Sequence, residues 1–257
     1  MTPPALYIVA AALFGLCIGS FLNVVIYRLP LGQSLATPPS RCRTCGYSLR
    51  WFDNIPVLSW VLLRGRCRQC GTRVSWQYPV VELVTGALFV LVVWLTPVGP
   101  LMASRLLLVC ILIALFGIDL EHQILPNSIT LPAIAIGVLL SLIAPPGWKD
   151  ALIGVVLGGG ILYAIAWGYY LWRREEGMGM GDVKMLAMIG AFLGWQQVWV
   201  TLFIASVTGA IVGITLLKLS GRGTSAKIPF GTFLAVAALI ASLVGNQLID
   251  WYVGLYA

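Results

Sequence analysis

Apolar blocks close to the thickness of a lipid bilayer recur along this chain, and they leave it few possible folds. A helical crossing of the hydrocarbon needs about 20 residues. Eight blocks meet or approach that length, at roughly 5–27, 78–96, 101–120, 128–145, 150–172, 183–194, 197–218 and 230–250. In lipid every backbone N–H and C=O must be paired internally, so the blocks read as helices. Of 257 residues, 60% are hydrophobic and 10% charged, more apolar surface than one soluble core can hide. The expected fold is an all-α polytopic membrane protein with about eight transmembrane helices. The sixth block is short, and its bounds are the least defined.

The charges orient these helices. No Lys or Arg precedes the first block and Arg28 follows it, the pattern of an uncleaved first span with its N-terminus outside. Alternation then places 28–77, 121–127, 173–182 and 219–229 in the cytoplasm. Fourteen of the 16 basic residues fall at that face, among them Arg173, Arg174, Lys184, Lys218, Arg222 and Lys227, while Arg105 and Lys149 fall outside. This asymmetry follows the positive-inside rule. The net charge of +7 thus reads as an orientation signal, with membrane lipid as the partner and no nucleic acid expected. Nothing in the residues sets an oligomeric state.

Residues 28–77 depart from the membrane pattern. They divide the chain into a first helix (1–27), a cytoplasmic module (28–77) and a transmembrane core (78–257). The module holds half of the basic residues and four of the six cysteines. Cys42-Arg43-Thr44-Cys45 and Cys67-Arg68-Gln69-Cys70 are CxxC pairs with 21 residues between them, each followed by glycine, Gly46 and Gly71. Four thiolates at this spacing suit tetrahedral Zn²⁺ in a closed, structural site. Free thiols or two disulfides are the alternatives, and a reducing cytoplasm counts against the disulfides. Cys17 and Cys110 lie inside spans and read as small packing residues. Gly15/Gly19, Gly154/Gly158 and Gly209/Gly213 are small-xxx-small pairs that let helices approach closely in lipid.

Two acids stand out because each borders an apolar segment, where charge is costly. Asp119 ends the third block, and Asp182 follows the run Gly177-Met178-Gly179-Met180-Gly181. Taken singly, Asp119 also reads as a marker of the span end, and Asp182 as a helix N-cap. The charge count puts both at one membrane face, where paired carboxylates can share a proton and activate water. Glycines beside Asp182, notably Gly179 and Gly181, would let a substrate strand come close to the backbone. Lys184 can meet a carboxylate, a phospholipid or the substrate. Glu121, Glu175, Glu176 and His122 read as solvated boundary residues, while Asn23 and Glu82 are polar groups within or near spans. Pro229 reads as the start of the last helix.

Several stretches, in order, resemble the type IV prepilin peptidases, members of the GxGD membrane aspartyl proteases. They are Gly19-Ser20-Phe21-Leu22-Asn23-Val24-Val25-Ile26-Tyr27-Arg28-Leu29-Pro30, the two CxxC pairs, and Tyr78-Pro79-Val80-Val81-Glu82-Leu83-Val84-Thr85-Gly86. Further along come Asp119 with Leu125-Pro126-Asn127, Gly177-Met178-Gly179-Met180-Gly181-Asp182-Val183-Lys184, and Lys227-Ile228-Pro229-Phe230-Gly231. The resemblance covers almost the whole chain. It implies that Asp119 and Asp182 are the catalytic pair of a bacterial inner-membrane enzyme. The implied substrates are type IV prepilins or type II pseudopilins, cut after a glycine on the cytoplasmic side. It also implies N-methylation of the new N-terminus with S-adenosylmethionine, since the cysteine-bearing loop marks the bifunctional members. The rival class is an ion-coupled transporter with the aspartates as ion ligands.

Overall fold

The computed structural model describes residues 3–175, 178–220 and 229–255, apart from the side chains of 217 and 220. Glu176, Gly177, Arg222, Lys227 and Ile228, singled out above, lie outside the described residues. The helices are α1 (Ala5–Arg28), α2 (Leu58–Leu62), α3 (Gln77–Leu95), α4 (Pro100–His122), α5 (Asn127–Leu140), α6 (Trp148–Arg173), α7 (Met180–Leu193), α8 (Trp195–Ser220) and α9 (Phe230–Gly254), with a 3₁₀ turn at Trp51–Asn54. Prolines set several starts. Pro100 opens α4, while Pro126 and Pro229 immediately precede α5 and α9, where a missing N–H costs little.

Each apolar block carries a helix, but six of them are long and apolar enough to cross a membrane: α1, α3, α4, α6, α8 and α9. α5 and α7 have 14 residues each, about 21 Å at 1.5 Å per residue, short of a hydrocarbon layer about 30 Å thick. Among the described residues the helices therefore support six full spans where eight were expected. The 128–145 block loses its last turns to the Ser141–Gly147 bend. The 183–194 block starts earlier, at Met180, and stops at Gly194, whose φ of 83° favours glycine.

The chain forms two compact units, Met1–Met102 and Ala103–Ala257. In the first, α3 packs along α1, so the boundary expected at residue 77 does not part them. Gly15 and Gly19 explain the closeness. A Cβ at Gly15 would lie 2.8 Å from Gly86 Cα, and one at Gly19 would lie 2.7 Å from Glu82 Cα. Asn23 Nδ2 adds an interhelical bond to the Tyr78 carbonyl at 3.1 Å.

The second unit is built around α7, which packs against α5, α6, α8 and α9. Met185, Leu186, Met188 and Ile189 are fully buried, as expected of a helix apolar on every side. α6 runs antiparallel to α7. A methyl group at Gly154 would collide with the Gly190 backbone, and one at Gly158 with the Leu186 carbonyl. Continued in the same register, Asp182 stands level with Leu162, and α6 rises about 16 Å farther to Arg173.

Candidate active site

Asp119 lies one turn before the end of α4 and is only 5% exposed, so it is not a solvated span marker. One of its oxygens accepts the backbone N–H of Thr232, in the first turn of α9. There the helix offers unpaired donors and the positive end of its dipole. Oδ2 is buried and has no hydrogen-bond partner among the described residues. A buried acceptor left unpaired is costly, so this oxygen is held ready for something else.

Asp182 reaches the same place from α7. It is not an N-cap: Gly179 holds that position, and Asp182 sits in the first turn, half-buried, its N–H bonded to the Gly179 carbonyl at 3.2 Å. Asp119 lies near enough for its charge to act on Asp182. Leu125 is the piece that seats them. A Cβ on Gly181 would lie 2.9 Å from Leu125 Cβ, and a Cβ on Gly231 would lie 3.0 Å from Leu125 Cδ1 and 2.7 Å from Asp119 Oδ2. Neither glycine can gain a side chain without moving Leu125 or the carboxylate.

The other candidates part ways. A Cβ on exposed Gly179 would meet little, with Asp182 Oδ2 3.9 Å away, so the approach to that carboxylate is open. Lys184 turns to Asn127, donating to Oδ1 at 2.8 Å and tying α7 to the start of α5. His122 Nε2 lies 3.7 Å from Glu121. In the first unit, Glu82 accepts the Val57 N–H at 2.7 Å. The Thr232 donor and the wedge at Leu125 escaped the sequence reading, although both lie in or beside stretches that carried the resemblance.

The four cysteines meet in the first unit. Their sulfurs all lie within 4.8 Å of one another, with Cys42 and Cys70 at 3.8 Å and Cys45 and Cys67 at 4.0 Å. Tetrahedral Zn²⁺ with Zn–S of about 2.3 Å sets sulfurs about 3.8 Å apart, so the cluster fits the metal. The two CxxC turns are copies. Gly46 donates to the Cys42 carbonyl and Gly71 to the Cys67 carbonyl, both at 3.0 Å, with φ of 71° and 70°. The Thr72 hydroxyl and N–H draw the Cys70 thiol down to about 6. The Tyr47 N–H favours the Cys45 thiolate, but lost hydration and the three neighbouring sulfurs push that thiol up to about 11. A divalent cation relieves this competition by taking the place of the shared protons.

Comparison with known proteins adds an independent line. The model of the bacterial peptidase A24 N-terminal domain matches residues 13–96, and that of the type IV leader peptidase family matches residues 106–214. The chain is similar to proteins named prepilin leader peptidase/N-methyltransferase. That of Aeromonas salmonicida is 41% identical over 277 residues, covering 97% of this chain and 94% of that protein. That of Pseudomonas aeruginosa is 37% identical over 275 residues, with the same coverage. No solved structure matches the chain.

Proposed function

The chain belongs to the type IV leader peptidase family, and from that premise we propose that Asp119 and Asp182 are the acid–base pair with which it removes prepilin leaders. The protein is a multi-pass inner-membrane peptidase with N-methyltransferase activity. The observation that carries the assignment of the pair is the buried Oδ2 of Asp119, without a partner among the described residues, near a second carboxylate from a separate helix.

Two interacting carboxylates hold one proton between them. The ionised member takes a proton from water as that water attacks the scissile carbonyl. The neutral member donates to the carbonyl oxygen, and the leaving amine then recovers a proton. No covalent intermediate is needed. The Thr232 N–H fixes one Asp119 oxygen, leaving Oδ2 to face water or substrate. Open space beside Gly179 admits an extended strand next to Asp182. The substrates are type IV prepilins or type II pseudopilins, cut after a glycine at the cytoplasmic face. α4 is unbroken through Asp119, whereas coupling-ion sites usually sit on broken helices near mid-span.

S-adenosylmethionine supplies the methyl group for the second activity. Cys42, Cys45, Cys67 and Cys70 hold a structural Zn²⁺ that keeps residues 41–73 folded.

The test is mass spectrometry of a prepilin incubated with the purified protein, with and without S-adenosylmethionine. Loss of the leader, abolished in Asp119→Asn and Asp182→Asn, is the expected result. Normal cleavage by either variant removes the pair from the mechanism.

A further inference from the structure

The two CxxC hairpins are copies in backbone, yet they differ at one cross-strand pair. In the first, the Cys42 N–H bonds the Tyr47 carbonyl and the Leu49 N–H bonds the Ser40 carbonyl, which sets Arg41 opposite Ser48. In the second, the Cys67 N–H bonds the Thr72 carbonyl and the Val74 N–H bonds the Gly65 carbonyl, both at 2.8 Å, which sets Arg66 opposite Arg73. The flanking bonds make each a non-hydrogen-bonded pair, the kind whose side chains lie closest. Like charges so placed repel. Arg28 is bonded to the Ser34 and Pro39 carbonyls, Arg43 to Tyr78 and Arg68 to Asp53. Arg64, Arg66 and Arg73 are exposed and have no acidic partner among the described residues.

Those three arginines line one groove of about 590 Å³ with Trp60, Ser75 and Trp76, within the range of small-molecule sites. Trp60 is fixed as its wall. The indole N–H donates to the Val74 carbonyl at 3.3 Å, and Gly65 leaves room for the ring, since a Cβ there would lie 2.8 Å from Trp60 Cζ2. Arg64 is held at φ 51°, a left-handed conformation that glycine adopts more cheaply, and strain of this kind gathers at ligand sites. Ser75 and Trp76 immediately precede α3, a candidate membrane span, and α1 enters the module from another. The groove therefore opens where headgroups lie, with Trp76, 70% exposed, in the place of an interfacial tryptophan. α2, which supplies Trp60, also exposes Leu58, Val61 and Leu62, apolar area that suits the same interface.

We propose that this groove binds the phosphodiester of an anionic phospholipid in the leaflet where α3 begins. Arg66 and Arg73 take the phosphate oxygens, as guanidinium forks do, Arg64 adds charge, and the acyl chains leave past Trp76 toward the bilayer. The headgroup supplies the counter-charge that the protein withholds, so binding closes the second CxxC hairpin and steadies the cysteine module. The peptidase chemistry uses none of these residues, and the inference does not depend on it. The place of the groove at the start of a span, and the exposed apolar residues near it, favour a lipid over a soluble phosphate. Net negative charge matters because a choline or ethanolamine head would bring its own cation to three arginines.

The test is hydrogen exchange on the full-length protein in nanodiscs, either of phosphatidylcholine alone or with an equal part of phosphatidylglycerol. Anionic discs should slow exchange across residues 64–76 by at least about fivefold, the worth of one arginine paired at a charged surface. Arg66→Gln/Arg73→Gln should abolish the difference between the discs. Arg41→Gln/Arg174→Gln, which removes as much charge elsewhere, should keep it. In neutral discs the groove variant should exchange no faster than wild type, because its repulsion is gone, and its metal content should be unchanged. Equal exchange of the wild type in both discs, protection that survives in the groove variant, or protection lost alike in both variants overturns the site. Equal protection by inorganic phosphate in neutral discs makes the groove a soluble-anion site and defeats the lipid assignment. Faster exchange of the groove variant in neutral discs, or loss of its metal, means that the arginines hold the hairpin themselves, and defeats it too.

Discussion

The two units each bury a carboxylate and treat it in opposite ways. In the first, Asp53 is enclosed by donors: Arg68 Nε at 2.7 Å, the Tyr47 hydroxyl at 3.2 Å and the Arg50 N–H at 3.3 Å. Both of its oxygens are used. In the second, Asp119 is as deeply buried but leaves Oδ2 without a partner among the described residues. The enclosed acid is a joint between the Arg50–Asn54 turn and the second CxxC loop. The half-satisfied acid is a poor joint and a good place for chemistry. Burial alone does not tell the two roles apart; the accounting of hydrogen bonds does.

The largest effect that separates them is on cleavage. Asp119→Asn or Asp182→Asn should lower leader removal by at least about a thousandfold, toward the upper range for a lost general acid or base. Thermal unfolding in detergent should stay level or improve, because an amide buries more easily than a carboxylate. Substantial cleavage, or a strong loss of stability, would mean that Asp119 is a joint after all.

Metal removal should strike the first unit. Metal analysis should find one zinc per chain, and Cys67→Ser should lose it. The variant should expose residues 41–73 to protease, since structural zinc sites contribute about 10–16 kcal/mol to folding. Cleavage should fall by less than in either aspartate variant. Equal loss would end the division into a structural unit and a chemical one. A smaller effect is expected from Gly231→Ala, which places a methyl group 2.7 Å from Asp119 Oδ2. A displacement of that size is worth about 10- to 100-fold in cleavage. Wild-type rates would show that the carboxylate has room to spare.

Much of this was legible in the residues, for reasons that also explain the rest. The Cys42/Cys45 and Cys67/Cys70 pairs carry their own geometry, and the cluster closes as their spacing implies. Apolar blocks announce helices but not their depth. α7 is as apolar as a span because it is wrapped by other helices, and sequence does not distinguish protein from lipid as the apolar surroundings. The side-by-side packing of α1 and α3 depends on Gly15 fitting Gly86, a matter of shape between distant positions. The donor to Asp119 is a backbone N–H, which has no residue signature.

The finest contrast is the pH response of Asp53. Burial pushes its carboxyl up, but the Arg68 hydrogen bond and charge, the Arg50 N–H and the Tyr47 hydroxyl outweigh this and hold it below its usual value of 3.8. Folding therefore favours the ionised form. The stabilisation is complete above the unfolded value, about 3.9, and disappears as pH falls through the lower folded one. Arg68 is 48% exposed, so solvent screens the charge part. Hydrogen bonds to the carboxylate leave about 1–2 kcal/mol. Asp53→Asn should weaken the module by that amount at pH 7, read as faster hydrogen exchange in residues 42–73. Because acid also strips thiolate-bound metal, the informative quantity is the difference from wild type at each pH. That difference should shrink to nothing well below pH 3.9. A gap that persists in acid would show that the shape of the side chain, not its charge, closes the joint.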